Sequence, residues 1–380
     1  MKARREDLMS DPIKFNNSTP FTIGVELEVQ LVDRQSLNLV PRAVEILEMV
    51  PADLDKRIKP EFIRSMVEIN TDICHSLAEV EKDLTTLYHL VEELADRNYC
   101  LLYAASLHPF AVSGEQQLSA DPRYHRIMDD LQLVGRRFIT QGLHVHIGIG
   151  DGETAIKVCD GIRKYLPVLL AMSTSSPFFE GNDTGLQSYR AKLFEALPMA
   201  GMPDRLSDWQ GFVRISKVLM ETGIIHEVRD LWWDVRPHPD FGTVEIRICD
   251  LPSHFDEILA LVALVRALVV WLAEVEISMP DSIPTNMQVL RNNKWQAARY
   301  GLGGRFVDLD GPAKRTMREA AQSLISQVTP VARDLGDGPY LAALDRILKN
   351  GTSSDQQRLI FSIEKDFHVM IDRLRDEFWR

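Results

Sequence analysis

The sequence predicts an α+β protein with a largely antiparallel sheet and helices gathered against one of its faces. Three features carry this expectation. Short segments of alternating apolar and polar residues recur before His254, separated by helical stretches and irregular loops. Two of them, "LWWDVRPHP" and "GTVEIRICD", are joined through Pro237, Pro239 and Gly242 closely enough to pair as a hairpin. From His254 onward the pattern is nearly all helical.

In chain order, "FTIGVELEVQLVD" (Phe21 to Asp33) and "SMVEINTDI" (Ser65 to Ile73) read as strands. "HSLAEVEKDLTTLYHLVEELADRN" follows as an amphipathic helix opened by a capping box of Ser76 and Glu79. Next come an apolar strand, "YCLLYAAS", and a long polar loop with "HPF" and "DPRYHRI". "GLHVHIGIG" is a strand that leads into a helix from about Glu153 to Met172. "SSPFFEGNDTGLQSYR" is too rich in Gly, Pro, Ser and Asn for anything but loop. After the hairpin, "ILALVALVRALVVWLAEV" is interrupted by Arg266 and flanked by acids, with Glu274 and Glu276 at its end, so it predicts a buried core helix and not a membrane span. "NMQVLRNNKWQAARYG" and three further helices complete the chain. Without an internal repeat or a Gly/Ser linker, residues 1–380 are expected to form a single domain whose helical part begins at about 254.

A chain of 380 residues, 45% hydrophobic and 26% charged, suits a soluble globular protein. Its 43 basic and 55 acidic side chains leave a formal charge of −12 with no Lys/Arg cluster, which argues against a nucleic-acid partner. Cys74, Cys100, Cys159 and Cys249 form no CxxC pair, so they fit neither a disulfide framework nor a thiolate zinc site and point to the cytoplasm. The opening "MKARREDLMSDPIKF" is charged with no apolar core behind it, and does not read as a signal peptide.

In the first strand, Phe21, Ile23, Val25, Leu27, Val29 and Leu31 point one way while Thr22, Glu26, Glu28 and Gln30 point the other. Two carboxylates about 7 Å apart on one face repel unless something positive lies near. Alone, the strand is most simply a solvated face. The alternation recurs, however, in three other segments. Glu68 and Asn70 lie opposite Val67 and Ile69; His144 and His146 lie opposite Leu143, Val145, Ile147 and Ile149; Glu245 and Arg247 lie opposite Val244, Ile246 and Ile248. Strands sharing one sheet would merge these polar sides into a single surface. "HVH" or "EIR" by itself is a weak signal, since either suits an ordinary strand surface.

Four carboxylates on one patch need cations. Oxygen ligands with one or two imidazoles and no thiolate suit Mg²⁺ or Mn²⁺, which keep positions open for substrate phosphates. Arg247, two residues from Glu245, is placed to clamp a phosphoryl group. The residues therefore point to metal-assisted phosphoryl chemistry on a sheet face.

With those residues in view, the chain resembles the type 2 glutamate–cysteine ligase family, in its carboxylate–amine ligase branch. "TIGVELEVQLVD", "MVEINT" and "GLHVHIGI" are similar to three of its strands, "SSPFFEGNDTGLQSYR" to its loop, and "TVEIRICD" and "NKWQAARYGL" to two later motifs, all in order. The resemblance implies a glutamine synthetase-like fold, a curved antiparallel sheet with ATP and divalent cations on its concave face. It implies a reaction in which ATP phosphorylates the side-chain carboxylate of an amino acid such as glutamate and an amine displaces the phosphate. It makes Glu26, Glu28, Glu68, His144 and Glu245 the expected Mg²⁺ ligands and Arg247 the transition-state clamp. His146 becomes a substrate contact or the orienter of a ligand, and Asn70 a substrate or nucleotide contact. Arg190, a planar fork in a polar loop, reads as a carboxylate clamp or a surface ion pair, and Arg299 as a nucleotide phosphate contact or a helix-end pair. The loop from His108 to Tyr124 is expected to cover the substrate, Cys249 to serve as a small packing residue, and the protein to be a homodimer.

The chain departs from the family pattern at Leu27, where many relatives carry a second Glu, and near Ser113, where a Trp is frequent. Leu27 belongs to the apolar face, so the metal site survives; the Ser113 change bears on the substrate pocket. The competing functions are a guanidino-kinase-like phosphotransferase, which calls for more arginines on the sheet, and a nucleotide- and metal-binding protein with little turnover.

Overall fold

The computed structural model describes residues 13–274, 286–308 and 314–380. The charged opening stretch through residue 12 and Glu276 lie outside the described residues. The main elements are β1 (Ile23–Asp33), β2 (Ile58–Pro60), β3 (Met66–Asn70), α1 (Leu77–Arg97), β4 (Cys100–Tyr103), α2 (Pro122–Leu131) and β5 (Leu143–Gly148). There follow α3 (Gly152–Ile162), α4 (Leu166–Ser173), α5 (Arg190–Glu195), α6 (Trp209–Glu221), β6 (Val235–His238), β7 (Thr243–Ile246), α7 (Phe255–Glu274) and α8 (Met287–Tyr300).

The seven strands form one antiparallel sheet in the order β2-β3-β1-β5-β7-β6, with β4 pairing with the far end of β1. Alternation on β1 works as its pattern dictates: Ile23, Val25, Leu27, Val29 and Leu31 are all buried and belong to one core with Val67, Ile69, Val145, Ile147, Val244 and Ile246. Helices α1, α3 and α7 pack against this apolar face.

Capping and charge explain the two long helices. Ser76 accepts from the Glu79 amide at 3.3 Å, while the Glu79 carboxylate accepts from the His75 amide at 2.6 Å, closing the box one residue earlier than expected. Arg266 lies buried within α7, where it donates to the carbonyls of Phe21 (3.0 Å) and His75 (2.8 Å) and pairs with Asp337 at 3.0 Å. The charge that interrupts the apolar run is thus a staple between helix, first strand and α1 start. No helix among the described residues is long and apolar enough to cross a membrane.

Several expectations need correction. The helix expected from Glu153 to Met172 is two helices, α3 and α4, because Pro167 has no amide to continue the ladder and instead sits in the first turn of α4. Four helices follow α8, not three: Met317–Asp334, Ala342–Asn350, Ser353–Glu364 and Phe367–Glu377. The 175–190 loop contains a small antiparallel pairing, Phe178–Phe179 with Asn182–Asp183, and Arg190 opens α5. The polar face is not uniformly open either. Near β4 a second hydrophobic cluster of Val32, Phe62, Met66, Tyr103 and Ile139 covers it, and Gln30 lies buried there, donating to the Ile139 carbonyl at 2.9 Å.

Candidate active site

Strand register builds the site. Glu26 stands directly across from Asn70 on β3 and from His144 on β5. Glu28 faces Glu68, and His146 is flanked by Gly24 on one side and Glu245 on the other. Gly24 adds no side chain between the histidine and its acid neighbours. These strands therefore bring Glu26, Glu28, Glu68, His144, His146, Glu245 and Arg247 to the wall of one cavity of about 440 Å³.

Within that wall the acids form two groups whose ligand atoms lie within 4.8 Å of one another: Glu26 with His146 and Glu245, and Glu28 with Glu61 and Glu68. His144 stands between them, its Nδ1 3.1 Å from Glu26 and its Nε2 3.8 Å from Glu28. His146 Nδ1 is 3.0 Å from the Thr243 hydroxyl, which orients the ring, and its Nε2 is 3.3 Å from Glu26 and 3.9 Å from Glu245. Despite these distances neither Nε2 is aligned for a hydrogen bond, although both are buried. An orphaned buried nitrogen beside carboxylates is what a metal ligand looks like without its ion.

Electrostatics divide the site into two halves. Burial would raise the Glu26 pKa, but His146 and His144 outweigh it and hold the carboxyl well below its usual range. Glu245 is buried too, yet Arg236, Arg247 and His146 hold it well below. In the other half burial and neighbouring acids prevail: Glu68 is pushed up to about 7 by burial and Glu26, and Glu61 well above the ordinary value by burial, Glu28 and Glu68. Burial and Arg247 push His144 down, which favours a neutral imidazole able to ligate. A divalent cation would relieve the repulsion in the Glu28 group, and oxygen and imidazole donors without thiolate fit Mg²⁺ or Mn²⁺.

Two residues that sequence reasoning missed belong here. Glu61 completes the second acid group from the position just past a three-residue strand, which is too short to show alternation. Arg236, opposite Glu245 in the hairpin, binds that carboxylate through Nε (2.7 Å) and Nη2 (3.2 Å) and also donates to the carbonyls of Arg229 and Leu231 at 2.7 and 2.9 Å. The alternation Val235, Arg236, Pro237, His238 was the signal that could have revealed it.

Other expected site residues lie at or beyond the edge. Asn70 donates to Glu68 at 2.8 Å, so it orients an acid. Arg190 is buried behind Arg247, donating to the carbonyls of Arg247 (3.3 Å) and Ile248 (3.4 Å) and lying 3.8 Å from Asp250; it does not line the large cavity. Gly142 makes room for it, since a Cβ there would come within 2.5 Å of Arg190 Nη2 and 2.9 Å of His144 Nε2. Arg299 sits over the Tyr300 ring and close to Gly185, outside the cavity lining. His108 is a buried structural residue, while Arg123 and Tyr124 at the other end of the same segment do line the cavity. Cys249 packs in the core as expected, and all four cysteines are free and buried.

The family model for glutamate–cysteine ligase family 2 matches residues 22–368. A Gloeobacter violaceus protein with the provisional name glutamate–cysteine ligase 2 is 40% identical, covering 94% of this chain and 97% of its own. A Solibacter usitatus protein of the same provisional name is 36% identical, covering 94% and 93%. The crystal structure of a glutamate–cysteine ligase from Francisella tularensis, in complex with AMP, shares the fold at a TM-score of 0.70 and 13% identity, over 96% of this chain and 90% of that one. The fold is accordingly the glutamine synthetase-like one that the resemblance implied, and this chain belongs to glutamate–cysteine ligase family 2.

Proposed function

We propose that this protein is an ATP-dependent carboxylate–amine ligase that activates the side-chain carboxylate of glutamate as γ-glutamyl phosphate and joins it to an amine such as cysteine. The observation that best supports this is the meeting of two acid groups and Arg247 in one cavity of about 440 Å³. Family membership and relatives named as ligases support the same reaction class.

In this scheme Glu26, Glu28, Glu68, His144 and Glu245 hold magnesium or manganese, with Glu61 as a further acid and His146 either orienting a ligand or touching substrate. The ion, when bound, screens the phosphate charges so that two anions can approach. Arg247 has a buried Nε without a hydrogen-bond partner among the described residues, and it lines the cavity. Its fork suits a phosphoryl group whose charge grows during transfer. Arg236 keeps Glu245 paired whatever Arg247 does. Arg123, Arg229 and Arg236 are each tied to acids, which leaves few cations for a guanidino-kinase-like reaction.

We place the protein in the cytoplasm on account of its free, buried thiols. A homodimer would use surfaces other than the sheet edges, since the edge strands β2 and β6 are short and contain Pro60 and Pro237. The test is direct. With Mg²⁺, ATP and glutamate present, adding an acceptor amine should give phosphate and an amide of the expected mass; phosphate release indifferent to glutamate would contradict the proposal.

A further inference from the structure

Helix α2 has an apolar face with an unusual neighbour. Tyr124, Ile127 and Leu131 fall at i, i+3 and i+7 on one side, the pattern of a helix that covers a core. No residue of α2 is fully buried: Tyr124 and Ile127 pack at the edge of the second hydrophobic cluster, and with Leu131 they also line the cavity. Phe62, Phe138 and Phe194 continue the wall, with ring centroids 5.4 Å apart for Tyr124 and Phe62, 6.0 Å for Phe62 and Phe138, and 4.5 Å for Phe138 and Phe194. The helix is held over the cavity by Arg123, 3.0 Å from Asp230 and 3.3 Å from Glu227.

One cavity thus has an acidic side, formed by the sheet, and an aromatic side, formed by α2 and its neighbours. Glu61 and Phe62 are adjacent in sequence at the seam between them. Phe62 is buried, whereas Tyr124, Phe138 and Phe194 keep part of their ring surface open to the chamber, and a ligand with an apolar body removes that surface from water. A cation at one end of that ligand suits the acidic side. A small polar acceptor such as cysteine would leave most of the wall uncovered.

We propose that the acceptor is a primary amine bearing a bulky apolar or aromatic group, which lies on Tyr124, Ile127, Phe138 and Phe194 while its nitrogen reaches the carboxylate-lined side. This rests on the ligase reading above and specifies its second substrate. The amine lone pair forms the C–N bond to the acyl carbon, and the C–O bond to phosphate breaks with its electron pair leaving on phosphate. Of the three ammonium protons, one remains in the amide, one goes to phosphate and one to solvent.

The experiment has three arms on the full-length protein. Hydroxylamine with Mg²⁺, ATP and glutamate traps activated glutamate as the hydroxamate and reports the first half-reaction regardless of acceptor preference. Phosphate release then gives kcat/KM for phenethylamine, cysteine and ethanolamine; phenethylamine should lead by about tenfold or more. Phe138→Ala, with Ile127→Ser as a second variant on a helix that has no buried residue, should shrink that lead to within about threefold. Hydroxamate formation without a phenethylamine preference, or a preference unmoved by both variants, overturns the acceptor assignment alone. No hydroxamate overturns the ligase reading and the assignment with it.

Discussion

Two arginines share Glu245, and their surroundings separate their roles. Arg236 uses its donors on Glu245 and on the Arg229 and Leu231 carbonyls, all within the protein. Arg247 pairs with the same carboxylate and lines the cavity, and its buried Nε has no hydrogen-bond partner among the described residues. Removing Arg236 takes the donor from the Arg229 and Leu231 carbonyls and leaves Glu245 with Arg247 alone, so Arg236→Ala should cost roughly 2–4 kcal/mol in urea unfolding. Arg247→Ala should cost much less, because Arg236 still neutralises Glu245. Equal losses, or the reverse order, would show that the two side chains are not divided in this way. Only part of this division was legible in the sequence: alternation puts Arg236 and His238 on one face of their strand, but which of them stands opposite Glu245 depends on turn register, which Pro237, Pro239 and Gly242 do not fix.

Among the elements, those with strict alternation were legible and those set by tertiary contacts were not. The polar rows on β1, β3, β5 and β7 could be read because period two assigns each side chain a face before any partner is known. Glu61 and the apolar face of α2 could not, since a three-residue strand has no period and a helix pattern does not say whether a core or a cavity lies opposite. The 107–124 segment shows the same limit. His108 is its anchor, fully buried, with Nε2 donating to the Leu37 carbonyl at 2.8 Å and Nδ1 accepting from the Ala111 amide at 2.9 Å. Burial lowers its pKa to about 4, so the folded state resists the proton that the unfolded chain accepts near pH 6.5. Its contribution is whole above pH 6.5 and is lost as pH falls towards 4, reaching roughly 3 kcal/mol. Unfolding at pH 7 and pH 5 should therefore show a smaller acid-induced loss in His108→Gln than in the wild type; identical losses would mean that this histidine does not titrate on unfolding.

At the scale of the molecule, one hydrophobic cluster runs from Ile23 on the first strand to Phe378 near the C-terminus, so the sheet that carries the site and the helices behind it share a core. Arg266 ties that assembly at its least expected point. In the sequence it served to argue against a membrane span; in the fold it joins α7 to Phe21, His75 and Asp337. Arg266→Ala takes the arginine from the buried Asp337 carboxylate and from the Phe21 and His75 carbonyls, which should lower stability by roughly 3–5 kcal/mol. A loss under about 1 kcal/mol would mean that water replaces the staple. On the other face of the same sheet four strands merge their polar rows along one cavity wall, the surface we propose to be catalytic. Its most direct test is phosphate release with Mg²⁺, ATP, glutamate and a saturating amine, comparing the wild type with Glu28→Gln at matched thermal stability. The shared surface predicts a rate at least about a hundredfold lower in the variant; a wild-type rate would contradict it.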